Sequence, residues 1–328
     1  MRRHPFGGDP IPVSDVGLGC WQIGGDQWGD VSDADALATL HAAVDAGTTF
    51  LDTADIYGAG RSEQLIARFK RERPGNYFIA TKLGRRSDPG LPENCRPANV
   101  RRHTEDSLKR LEVDTLDLTQ LHCVPLAELE RGEVFETLRQ LKQEGKIQRF
   151  GASVESTAEA KACLAQPGLA SLQIIFNIYR QTPITALFDE ARAKGVAIIV
   201  RLPLASGLLA GKYTPQTTFA ATDHRTYNRN GEKFNVGETF AGLGFENGVA
   251  LTEKLRPLIP AGYTMPQFAL RWCLDFPAVS AVIPGARNPA QAKANASASD
   301  LPPLGSAVHT AVRAFYLGEV ASKVRGPD

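Results

Sequence analysis

Four polar side chains in this 328-residue chain have the types and spacing needed to move a proton onto or off an oxygen: Asp52, Tyr57, Lys82 and His122. A phenol has a reference pKa of about 10 and works poorly as an acid or base near neutrality unless a neighbouring cation stabilises its anion. Lys82 is the candidate cation. At about 4 Å and an effective dielectric near 20, the gross attraction is roughly 4 kcal/mol, enough to lower the phenol by up to about three pKa units. Asp52 would hold Lys82 and keep it charged, and a neutral His122 would orient a carbonyl oxygen beside the phenol. The set suits polarising a carbonyl and needs no nucleophile. Each residue alone also has a plain structural explanation: a turn cap, ring packing, a solvated charge, a core imidazole.

The elements that must position these groups are legible as an alternation. Short β-branched runs at 16–20, 49–52, 77–82, 116–122, 148–153, 172–177, 197–203 and 278–283 alternate with helical patterns at 33–46, 62–71, 97–111, 133–144, 157–166, 185–194, 248–258 and 289–298. Gly47, Gly145 and Gly195 fall where helices should stop. Eight such units predict an α/β fold, a closed (β/α)8 TIM barrel, as one domain over residues 1–328, with a doubly wound sheet as the alternative. A barrel of this kind builds its active site where the strands end. Asp52, Lys82 and His122 end the second, third and fourth runs, and Tyr57 stands in the turn after the second, so all four share one rim. Residues 3–14, around Gly7-Gly8-Asp9-Pro10, read as an N-terminal hairpin that plugs the barrel floor. The connection 212–247 after the seventh run is far longer than a β/α loop requires, and is either a lid or a disordered insertion. The tail 301–328, with a helical stretch near 308–320, should pack outside the barrel.

Composition excludes several classes. Lys and Arg number 37 against 36 Asp and Glu, a net charge of +1, so no uniform field draws nucleic acid or an anionic membrane. The basic clusters, such as Arg85-Arg86 and Arg101-Arg102-His103, are scattered and carry no interleaved aromatics. The five cysteines are odd in number and lack metal or redox spacing, so no metal site and a reducing, cytoplasmic setting are expected. Charged residues at the N-terminus are followed by Gly7-Gly8-Asp9-Pro10 rather than by an apolar leader, and no stretch reaches membrane-spanning length. Neither nucleotide fingerprint survives inspection: Gln22 stands where a dinucleotide motif needs its third glycine, and Gly207 to Lys212 is too short for a P-loop and is followed by Tyr213.

Several segments together resemble the aldo-keto reductase superfamily nearly end to end. They are Gly17-Leu18-Gly19-Cys20-Trp21, Asp52-Thr53-Ala54-Asp55-Ile56-Tyr57-Gly58, Thr81-Lys82, Asp117 to His122, Gly151-Ala152-Ser153, Pro203 to Tyr213, and Ile283 to Pro289. The resemblance implies a nicotinamide cofactor bound without a Rossmann domain and a small carbonyl or alcohol substrate. Tyr57 would be the general acid or base, Lys82 and Asp52 its tuning partners, and His122 the substrate-orienting group. It further implies that Ser153 and Gln173 hold the carboxamide, and that Leu202, Pro203, Leu204, Ser206, Gly207 and Leu208 with Lys212 wrap the pyrophosphate. Gly285, Arg287, Gln291 and Asn295 would meet the adenosine end, while Gly19, Cys20, Trp21 and Asp52 complete the cofactor wall. Arg287 at a helix start suits a 2′-phosphate, which makes NADP(H) the preferred cofactor and NAD(H) the alternative. Trp21 and Trp28 would wall the substrate beside Tyr57 and His122.

The chain departs from that pattern in places. Arg201 stands where many members place the aromatic ring on which nicotinamide stacks; it could stack through its guanidinium or bind an anionic substrate group. Val154 replaces a common asparagine, and Asn177 is a possible substitute donor. Cys123 and Thr119 replace frequent aromatics, so the pocket wall should be less aromatic and suited to small sugar-like or polyol carbonyls. The expected activity is reversible NADP(H)-dependent reduction of an aldehyde or ketone. The alternatives are a nicotinamide-binding sensor or channel-associated subunit with slow turnover, and an internal redox step with no net cofactor consumption. Oligomeric state, monomer or homo-oligomer, is left open.

Overall fold

The computed structural model describes residues 1–25, 28, 29 and 31–327. Two strands, β1 (Arg3–Phe6) and β2 (Asp9–Ser14), pair antiparallel as a hairpin. Among the described residues eight parallel strands follow, each hydrogen-bonded to the next: β3 (Leu18–Gly19), β4 (Phe50–Asp52), β5 (Phe78–Leu83), β6 (Leu118–His122), β7 (Phe150–Ser153), β8 (Ser171–Ile175), β9 (Ala197–Arg201) and β10 (Val279–Val282). Bridges from Val16 to Val282 and from Gly19 to Gly285 join the last strand to the first, so the sheet curls into a (β/α)8 barrel. The strands read as near-continuous apolar runs because both faces are covered; all six residues of β5 are buried.

Alternation along these strands separates two cores. The inward residues Phe50, Phe78, Leu118, Ala197 and Ile199 pack with Phe6 and Val13 of the hairpin. Their outward neighbours Leu51, Ile79, Leu121, Ile198 and Val200 belong to the larger core beneath the helices. The hairpin plugs the floor as expected: the Phe6 ring lies 4.8 Å from Phe78 and 6.2 Å, edge-on, from Phe50. Two residues further along each strand, the same inward face turns polar, from Phe50 to Asp52, from Ala80 to Lys82, and from Leu118 through Gln120 to His122. The registers set Lys82 opposite Gln120, His122 opposite Ser153, and Ser153 opposite Gln173. An apolar floor and a polar rim are thus one sequence period written on adjacent strands.

Six helices fall where expected, with edges moved by a few residues: Asp33–Asp45, Arg61–Glu72, Pro97–Leu111, Glu133–Gln143, Thr157–Leu164 and Pro289–Ala296. The helix expected at 185–194 is broken at Leu187, whose φ is −134°, into Pro183–Ala186 and Phe188–Ala193. The one expected at 248–258 begins earlier, as Phe245–Leu255, and tightens into a 3-10 turn at Arg256–Leu258. A further helix, Met265–Leu274, was not anticipated and leads into β10. Thr264 and Gln267 cap it reciprocally, a pattern visible in the sequence, and seven of its ten residues are buried.

The long connection is folded, with a short helix His224–Tyr227 and turns at Val236–Glu238 and Phe240–Gly242. After the helix Ser306–Phe315 the tail reaches this connection, where Arg325 donates from N and Nε to Gly242 O at 3.2 and 3.0 Å. No helix among the described residues is long and apolar enough to cross a membrane.

Replacing Phe6 with Ala should remove the ring that seals the floor and cost about 3 kcal/mol or more in urea unfolding. A loss below about 1 kcal/mol would mean that the hairpin is not part of the core.

Candidate active site

The polar rim is built around a buried ion pair. Lys82 Nζ donates to Asp52 Oδ1 at 2.5 Å, to Thr53 O at 2.8 Å and to Tyr57 Oη at 3.4 Å, which uses all three of its protons. Asp52 Oδ2 accepts from Gln173 Nε2 at 2.7 Å and from Gln120 Nε2 at 3.3 Å. The pair's side chains are only 1% and 4% exposed, so the pair is tolerable only because both carboxylate oxygens and all three ammonium protons find partners. Tyr57 is brought to it by a tight turn in which Gly58, Ala59 and Gly60 have φ of 59°, 54° and 96°. A Cβ at Gly58 would sit 2.4 Å from Gly24 O, so the turn can pack on the short helix Trp21–Gly24 only with glycine there.

Protonation follows from burial and neighbours. Burial pushes the Tyr57 phenol above its ordinary value, and the opposing pull of Lys82 does not overcome it. This corrects the expectation that Lys82 would depress the phenol: the cation limits a rise imposed by desolvation. Burial alone would lower Lys82, but Asp52 and the phenol hold it above the usual ammonium value. Burial, followed by the charges of Arg85, Lys82 and Arg201, drives His122 well below the ordinary imidazole range, so it is neutral. Its Nδ1 is buried without a partner, and its ring meets Tyr57 edge-on at 5.8 Å. The site therefore pairs a protonated phenol with a neutral imidazole.

All the residues expected to meet cofactor or substrate line one cavity of about 680 Å³, except Cys20 and Leu208. Cys20 is fully buried with its thiol toward Leu18 O, and Leu208 is buried in the core beneath the helices. Lys82 lies behind Tyr57, and Gln173 faces the cavity while its amide is committed to Asp52. Asn177 does not replace the missing donor at Val154: its amide holds Leu202 O at 2.9 Å and its carbonyl accepts from Tyr179 N. The backbone it supports is strained, with Leu202, Ala205 and Ser206 at φ of 54°, 48° and 54°.

Sequence reasoning missed what the long connection contributes. It carries Phe234 to the wall, edge-on to Trp21 at 6.4 Å, while Trp21 stacks on Tyr57 at 6.0 Å and meets Trp28 at 5.4 Å. The wall is thus aromatic after all, and a ring 177 positions from Tyr57 in sequence leaves no local signal. The connection also delivers Glu238, whose Oε1 lies 3.0 Å from Arg201 Nη1 and 3.5 Å from Arg85 Nη1. Arg201 further donates to Val154 O at 3.2 Å, so it is a tethered cation rather than a free stacking surface. Burial alone would push Glu238 up, but the two guanidiniums hold it well below the carboxylate range; burial and Glu238 push its neighbour Glu155 up.

Residues 15–316 match the model of the Aldo/keto reductase family. The chain is 30% identical over 288 residues to the aldo-keto reductase YhdN of Bacillus subtilis, covering 87% of this chain and 84% of that one. It is 28% identical over 319 residues to an NADH-specific methylglyoxal reductase of Escherichia coli, covering 92% and 94%. Among solved structures, the glycerol dehydrogenase AKR11B4 from Gluconobacter oxydans superposes with a TM-score of 0.76 at 30% identity, covering 99% of this chain and 97% of that one. A match over nearly the whole chain, on a barrel whose rim holds the aspartate, tyrosine, lysine and histidine together, means that this protein belongs to the aldo/keto reductase family of oxidoreductases.

Proposed function

We propose that the protein is a NADP(H)-dependent enzyme that reduces an aldehyde or ketone to an alcohol and runs the reverse oxidation through the same residues. The observation that carries this reading is the hydrogen-bonded line from Asp52 through Lys82 to Tyr57, opening onto the same cavity as a neutral His122. The cavity of about 680 Å³ falls among ligand sites of roughly 300–1,000 Å³. Its lining offers what a nicotinamide dinucleotide needs: at the barrel rim the uncharged Ser153, whose hydroxyl makes only a long 3.4 Å bond to a Gln173 held by Asp52, and cationic Lys212 and Arg287 for phosphates. Arg287 precedes the helix Pro289–Ala296, and no carboxylate among the described residues pairs with it, which supports a 2′-phosphate and hence NADPH over the NADH named for the E. coli relative.

The bound dihydronicotinamide supplies the hydride. Tyr57 Oη donates its proton to the carbonyl oxygen, and His122 donates a hydrogen bond to the same oxygen and fixes its direction. As the phenol loses its proton, Lys82 at 3.4 Å stabilises the anion, and Asp52 keeps Lys82 in place and charged. The aromatic wall of Trp21, Trp28 and Phe234 excludes water from the reacting carbon. In the same reading the chain is one barrel domain working in the reducing cytoplasm, a setting supported by five free cysteines. A non-catalytic sensor draws no support from a complete tetrad.

Tyr57→Phe should lower NADPH-dependent reduction of a simple aldehyde by about 100-fold or more while NADPH still quenches tryptophan fluorescence at near wild-type concentration. Turnover retained in that variant would end the assignment of Tyr57, and absence of quenching by either NADPH or NADH in the wild type would end the cofactor reading.

A further inference from the structure

The wall beside Tyr57 and His122 carries a cation that the reaction does not use. Arg85 follows β5 three residues after Lys82 and lines the same cavity, with its side chain 23% exposed. Its counter-charge is shared. The Glu238 oxygen it approaches at 3.5 Å is already held by Arg201 at 3.0 Å. Arg201 has Val154 O as well, whereas the other contacts of Arg85 are the Cys123 thiol at 3.8 Å and the face of Phe234 at 5.8 Å.

The local charge does not balance. Lys82 is cancelled by Asp52, and His122 is neutral. Burial and the neighbouring Glu238 carboxylate push Glu155 up to about 7, so near neutrality the two carboxyls carry less than two full negative charges. Two guanidiniums against that charge leave a fractional positive charge beside a cavity walled by Trp21 and Phe234, and Arg85 is the more exposed of the two, its side chain 23% exposed against 12%. A planar guanidinium with donors to spare in a partly desolvated wall recognises carboxylate or phosphate oxygens better than anything else a small carbonyl compound carries.

We propose that Arg85 anchors an anionic group on the substrate, so that this enzyme prefers a small aldehyde or ketone bearing a carboxylate or a phosphate. The inference rests on the reductase reading above. It moves the anion-binding role from Arg201, whose two terminal nitrogens Glu238 and Val154 hold and whose Nε is buried, to its more exposed neighbour, and makes Arg85 the specificity-determining residue.

The test compares matched substrates under saturating NADPH: succinic semialdehyde against butanal, and glyceraldehyde 3-phosphate against glyceraldehyde, in wild type, Arg85→Gln and Arg85→Lys. A charge-assisted hydrogen bond should make kcat/KM for one charged member roughly tenfold to a hundredfold higher than for its uncharged partner, mainly through KM. The pair that shows it identifies carboxylate or phosphate. R85Q should bring the ratio near one, and R85K should keep part of it. A wild-type ratio near one for both pairs, or a ratio that survives R85Q, overturns the proposal while turnover of butanal leaves the reductase reading standing. Should no carbonyl be reduced, succinate and inorganic phosphate are titrated onto the NADP-loaded protein by tryptophan fluorescence. Binding lost in R85Q then supports the anion site and ends only the reductase reading; no binding overturns the anion site too.

Discussion

The buried Asp52–Lys82 pair is the constraint on which the rest of the site depends. A carboxylate and an ammonium this far from water are tolerated only when each is fully hydrogen-bonded, and the barrel meets that demand from four directions. Thr53 O takes one lysine proton, the Tyr57 oxygen another, and the Gln173 and Gln120 amides cover the second carboxylate oxygen. Those partners sit on separate strands or the turn beyond them, so the pair is satisfied only when the strands lie in register. Sheet register and the geometry of the rim are therefore one requirement, and the hairpin that fills the floor with Phe6 helps to hold it.

The two-residue alternation explains why so much could be read from the chain. Runs such as Phe78–Leu83 are apolar along their length because they are covered on both faces, and their ends switch to Asp52, Lys82 and His122 on the inward face. That made the eight strands, the barrel and the tetrad visible as a pattern of types and spacings, with the family resemblance adding the cofactor lining. The helix Met265–Leu274 escaped because seven of its ten residues are buried, which makes it read as a general apolar run, although its Thr264–Gln267 capping pair was available. Cys20 and Leu208 lie off the cavity: the resemblance gives a segment, while burial decides which of its side chains face the opening.

Two features were not legible for a stronger reason. The direction in which the Tyr57 phenol moves depends on how completely Trp21, His122 and the rim remove it from water, a property of the assembled fold; counting Lys82 alone gives the wrong sign. The Arg85–Glu238–Arg201 cluster joins the end of one strand, a distant connection and another strand, and nothing local in any of these segments announces the other two. That cluster also ties the long connection to the rim, so the loop that brings Phe234 to the cavity is held by charges beside Tyr57 and His122.

The most direct test of the central claim, that a protonated and desolvated Tyr57 is the acid while His122 stays neutral, is the pH dependence of kcat for NADPH-driven reduction of an uncharged aldehyde. The acid form is the active one and its pKa is raised, so kcat should stay level from pH 6 through 9 and fall only near or above the ordinary phenol value of about 10. A fall governed by a group near the ordinary imidazole value of about 6.5 would contradict the account and make the histidine the proton donor.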